Sequence, residues 1–136
     1  MRRTNALVLV CALLLGACAH TEIRQHAAID AGHKTISVPP YKRGLMNGVV
    51  KELAAAGWKV AIDRPAAANN PAAAATRYRM TADYRDIDYC RGGRIYIYDF
   101  AIIDNESGAK ILEIGGRECD RDAVAKFKAA IAATAK

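Results

Sequence analysis

Across its 136 residues the chain has no C-x-x-C pair, no ordered Ser, His and Asp trio, no pair of carboxylates set for acid–base work and no glycine loop of the kind that cradles phosphate. Those absences remove the usual supports for redox, nucleophilic, general acid–base and nucleotide chemistry, so the chain is read as non-catalytic and without a cofactor. Histidine is sparse: His20, His26 and His33 stand six and seven residues apart, which does not bring their rings onto one helical face, and no metal is expected. A long apolar run is missing too. The N-terminal apolar stretch, residues 6–19, is uncharged and has 14 residues, short of the about 20 that a membrane-spanning helix needs. Nor is the charge extreme. Lys and Arg total 20 against 14 Asp and Glu, or +6; without Arg2 and Arg3 the balance is 18 against 14, or +4. An excess of that size does not indicate a nucleic-acid partner.

What is present begins at the N terminus. Met1-Arg2-Arg3 followed by the apolar run has the form of a secretory signal, and residues 1–17 are read as one. Its end allows two cuts. Ala17-Cys18-Ala19 is an A-x-A site for ordinary signal peptidase, whereas Leu15-Gly16-Ala17-Cys18 resembles the lipobox of bacterial lipoproteins. That resemblance implies that the Cys18 thiol takes a diacylglycerol, that the chain is cut before Cys18 and that the new amine is acylated, palmitate being a usual chain. The chemistry needs a thiol because its thiolate is the nucleophile. One acyl chain holds a protein marginally and three hold it in effect permanently. By the same resemblance, Ala19 where an Asp would retain the protein in the inner membrane implies the outer membrane, facing the periplasm. Cys11 lies inside the apolar run and leaves with the signal.

The mature chain, residues 18–136, is 119 residues long, enough for one domain. Residues 18–33 read as the lipidated cysteine and a polar tether, in which Thr21 can cap a short helix through Ile23 and Ala27. Residues 34–136 read as a single domain interrupted by a flexible Ala/Pro-rich loop at 63–75, where Pro65 and Pro71 exclude a central strand. A strand at 34–38 is stopped by Pro39-Pro40. Leu45, Met46, Val49, Val50, Leu53, Ala54 and Gly57 keep the spacing of one helical face, and Gly57 suits a left-handed cap with Trp58 packing after it. A strand follows at 58–62. Residues 77–90 alternate as a long strand, with a bulge expected near Arg85-Asp86 to return Ile87 and Tyr89 to the inner face. Residues 94–104 carry large side chains on both faces, the mark of a central strand. Asn105-Glu106-Ser107-Gly108 turns the chain into a last strand, and Asp120 is expected to cap a helix whose buried face is Val124, Phe127 and Ile131. The order β-α-β, then an antiparallel meander, then a helix predicts an α+β two-layer domain with its helices on one face of the sheet.

The stretches "PPYKRGLMNGVVKELAAAGWKV" and "YIYDFAIIDNESGAKIL", together with the lipobox, resemble a Sbal-type group of small outer-membrane lipoproteins. More distantly they resemble the TolB N-terminal domain and the LpoB activators of penicillin-binding proteins. The resemblance implies a membrane-anchored accessory domain that binds another envelope component.

Four further expectations come from the residues. Cys90 and Cys119 end two strands that run the same way with one strand between, so in an oxidising periplasm they should form a disulfide. Asp99, which interrupts an apolar strand, should pair with an Arg of a neighbouring strand such as Arg79 or Arg117. Arg77, Arg79 and Arg85 form a stripe read as a solvated face, with contact to an anionic envelope polymer or lipid headgroups as the alternative. Ile95, Ile97, Ile103 and Ile111 should emerge together on the face away from the helices. An open apolar patch there would dock a protein partner or a second copy of the chain.

Overall fold

A computed structural model describes residues 21–64 and 75–135. The proposed signal, Cys18 and most of the Ala/Pro-rich loop lie outside the described residues. The strands are β1 (Glu22–Gln25), β2 (Thr35–Val38), β3 (Lys59–Ile62), β4 (Tyr78–Cys90), β5 (Gly93–Asp104) and β6 (Lys110–Cys119); the helices are α1 (Leu45–Ala55) and α2 (Asp120–Thr134). All six strands form one sheet in the order β1-β6-β5-β4-β2-β3. Strand β2 runs parallel to both β3 and β4, and the other pairs are antiparallel. The domain is therefore the two-layer α+β arrangement that the element order predicts.

One core cements the layers. Tyr96, Tyr98, Phe100 and Ile102 of β5 alternate onto the helix side, where they join Leu45, Met46, Val49 and Leu53 of α1 and Phe127 and Ile131 of α2 in a single buried cluster. Phe100 meets Phe127 edge to face at 5–7 Å spacing, with ring centroids 6.2 Å apart. The helices touch where α1 has no side chain: a β-carbon on Gly48 would lie 2.6 Å from a methyl of Val124. Helix α1 ends as its sequence indicates. Gly57 has φ of 84°, its N–H bonds to the carbonyl of Ala54, and the Trp58 N–H bonds to that of Leu53, the paired bonds of a Schellman end.

Residues 21–33 are not a tether. Strand β1 pairs antiparallel with β6, Ile23 opposite Ile114 and Gln25 opposite Leu112, so Thr21 caps no helix. Beyond it Ile29 is only 1% exposed, bridges to Ala135 and donates its N–H to the Thr134 carbonyl at 2.9 Å. This edge strand escapes a pattern search because all four of its residues are exposed; backbone bonding to β6 holds it, not an apolar face.

Smaller corrections concern strand ends. The irregularity in β4 falls between Asp86 and Asp88, one step later than expected, and leaves Tyr89 71% exposed beside Arg94 instead of on the inner face. Cys119, not Asp120, occupies the N-cap of α2; Asp120 opens the helix and its carboxylate accepts the Arg121 N–H.

Cys90 and Cys119 form the disulfide, with Cα atoms 6.1 Å apart. Both end strands that flank β5, Cys90 opposite Gly93 and Cys119 opposite Ile95, so the bond closes one end of the sheet. Alkylation of denatured, unreduced protein should therefore leave both cysteines unlabelled; labelling of both would show free thiols.

Candidate functional site

The register decides what the face away from the helices presents. Its rows run Arg85–Ile97–Arg117, then Asp83–Asp99–Gly115, then Thr81–Ala101–Glu113, with Glu22 and Arg24 of β1 continuing the last two. Four isoleucines do not emerge there together. Ile103 and Ile111 are buried, at 8% and 5% exposure. Ile111 sits at the register shift between β5 and β6, joins the core, and its carbonyl accepts the N–H groups of His26 and Ala27. Ile95 and Ile97 remain half-buried, and Ile97 is framed by two arginines. The face is a charged mosaic with a small apolar centre.

Asp99 does not find an arginine. It is exposed, lies directly opposite Asp83 and makes no ion pair among the described residues. Like charges so placed disfavour each other across a sheet. The expected arginine stripe is likewise divided. Arg77 bonds to Asp104 at 2.8 Å and pairs with Glu106, and Arg79 donates to Asn105, so both belong to the β5–β6 turn. Arg85 has no such partner among the described residues.

Beside Ile97 lies an open cavity of about 610 Å³ lined by Thr21, Glu22, Arg24, Asp99, Glu113 and Gly115. Its floor is low because Gly115 has no side chain between Asp99 and Glu22. Glu113 is held by Lys110, at 2.5 Å, and by His26, at 2.8 Å, and these two bonds pull its carboxyl down to about 2. A carboxylate so held is a fixed ion-pair partner, not a proton donor at neutral pH. Because the folded carboxyl sits below its ordinary 4.5, the support it gives to β1 and β6 is complete above that value and lost as pH falls through about 2. Acid unfolding between those values should be shallower in Glu113→Gln than in wild type, as read by circular dichroism; identical slopes would show that Glu113 is not the group involved.

A second network sits behind the sheet. Glu118 accepts hydrogen bonds from Tyr98 at 2.5 Å, from Thr21 at 3.2 Å and from Lys126, tying β1, β5, β6 and α2 together. Burial, and then the bond to Glu118, push the Tyr98 hydroxyl well above its ordinary value. No pattern announces this cluster, since its bonds join residues 8 to 105 positions apart. His33 pairs with Asp30 at 2.7 Å. Among the described residues no group of three or more His, Cys, Asp or Glu side chains is placed to hold a metal.

The described residues thus form a two-layer α+β domain with a mixed six-stranded sheet and one mosaic face. No family model and no curated relative matches it. Among solved structures, the fold is similar to that of PelC from Paraburkholderia phytofirmans. A leucine-to-methionine variant, a dodecamer, aligns with a TM-score of 0.54 and 15% identity over 87% of this chain and 99% of the other. A second PelC dodecamer aligns with a TM-score of 0.51 and 17% identity, over 85% and 99%. At such identity the likeness is one of fold.

Proposed function

We propose that the chain is a lipid-anchored protein of the bacterial envelope, attached through Cys18 to the outer membrane and facing the periplasm. Its non-catalytic domain binds protein surfaces, another envelope component or further copies of itself. The observation that carries the reading is Leu15-Gly16-Ala17-Cys18 at the end of a charged-then-apolar leader. The Cys90–Cys119 disulfide supports an oxidising compartment. The likeness to a protein found as a dodecamer supports self-association. On this reading Ile97, half-buried between Arg85 and Arg117, is the apolar centre of the contact.

Light scattering on detergent-extracted protein, corrected for detergent, tests the association. Wild type should run as several copies, and Ile97→Lys as fewer at an unchanged melting temperature. A wild type that is monomeric at every concentration would remove self-association. Ile97→Lys protein that unfolds would make Ile97 ordinary core.

A further inference from the structure

The sheet face away from the helices carries four charges without a partner in the chain. Arg85 and Arg117 flank Ile97 in one row, and Asp83 and Asp99 lie side by side in the next. All four are exposed, and among the described residues no side chain of the four makes an ion pair or a hydrogen bond. Their neighbours on the same face differ: Glu113 is held by Lys110 and His26, and Glu22 pairs with Arg24. The unpaired set is thus two arginines and two aspartates in adjacent rows. Within each row like charges gather, Asp83 directly opposite Asp99 and the arginines one strand apart on either side of Ile97. That arrangement costs free energy in an isolated sheet.

Such a face complements itself under one twofold operation. Two copies packed face to face share an axis in the plane between their sheets, and each residue contact then occurs twice. An axis along the strands leaves every row opposite itself, arginine on arginine and aspartate on aspartate. An axis across the strands reverses the row order. Level with Tyr98, between the Ile97 and Asp99 rows, it sets Arg85 over Asp83 of the second copy and Arg117 over Gly115. Gly115 has no side chain, and the cavity of about 610 Å³ opens above it. Arg117 therefore has room to turn to Asp99 on the adjoining strand, about 4.8 Å to the side. One row further out, Ile95 meets Ala101, so apolar side chains border the ion pairs.

We infer that this face is a twofold contact with a second copy of the chain, in which Arg85 and Arg117 of each copy neutralise Asp83 and Asp99 of the other around Ile97. The inference rests on the self-association proposed above and gives it a surface, a symmetry and a charge pairing.

Two variants of the mature, detergent-extracted protein test it: Arg85→Asp with Arg117→Asp, and Asp83→Arg with Asp99→Arg. The four positions are exposed, so both variants should keep the circular dichroism spectrum of wild type. Alone, each should associate about a hundredfold more weakly, because like charges then meet at every symmetric contact. Mixed, the two should recover a one-to-one pair, since the acidic face of one meets the basic face of the other. Light scattering corrected for detergent reads the mass. An associated wild type whose variants stay associated alone would overturn the twofold face and leave self-association standing. Variants that dissociate alone and do not combine would overturn it too, and would give the face to a different partner. A monomeric wild type would overturn self-association and this contact with it. Should a double variant unfold, Arg117→Asp and Asp99→Arg singly, apart and mixed, decide by the same outcomes.

Discussion

Cys18→Ala is expected to leave the membrane fraction or to accumulate as uncleaved precursor, with no mature lipidated form. The thiol is the atom that takes the lipid in the lipobox chemistry that Leu15-Gly16-Ala17-Cys18 resembles, and alanine offers no nucleophile. Among the described residues no helix is long and apolar enough to cross a membrane, so none offers a substitute helical anchor. Each buried CH₂ of an acyl chain contributes about 0.8 kcal/mol, and three chains together outweigh any surface attraction of the domain. Fractionation with an immunoblot reads the result. A variant that is still cut and still sediments with membranes at high salt would contradict lipidation at Cys18.

Ile29→Ala is expected to destabilise the domain by about 2–4 kcal/mol, the range for truncating a buried isoleucine. The side chain is enclosed by the core, and its own N–H is bonded to the last turn of α2. The next residue reinforces it: the Asp30 N–H donates to the Tyr78 hydroxyl at 2.9 Å. One substitution thus loosens the chain that runs from β1 into β2, in a domain whose stability is of order 5–15 kcal/mol. Urea unfolding should show a lower midpoint at an unchanged slope. A change below about 0.5 kcal/mol would mean that residues 26–33 are the loose tether their composition suggests.

The difference between these two predictions shows what a single sequence carries. Helix α1 is legible because its apolar residues repeat at helical spacing and Gly57 marks its end. The meander is legible because Tyr78, Met80, Phe100 and Ile102 alternate with polar neighbours, and strand direction then brings Cys90 and Cys119 to one end. Strand β1 is not legible. Glu22, Ile23, Arg24 and Gln25 have no buried face, and their stabilisation is the hydrogen-bonding edge of β6, which lies about 90 residues away. The same limit hides the register. A one-residue shift at Ile102–Ile103 takes Ile111 from the presumed open face into the core, and a side chain's face reverses with each such step. It also hides the start of α1, where Gly44 and Tyr96 meet only because β5 passes beneath the loop. Asp99 is the clearest case of local pattern misleading: it looks ready for an arginine, and the register sets it against Asp83.

The central claim, an envelope domain tied to its membrane at Cys18, is tested most directly by the intact mass of the protein purified from its own membranes. The account predicts a chain that begins at Cys18, carries a diacylglycerol and a third acyl group, and retains the Cys90–Cys119 bond. A chain beginning at His20 with no lipid, or one that still carries residues 1–17, would contradict it.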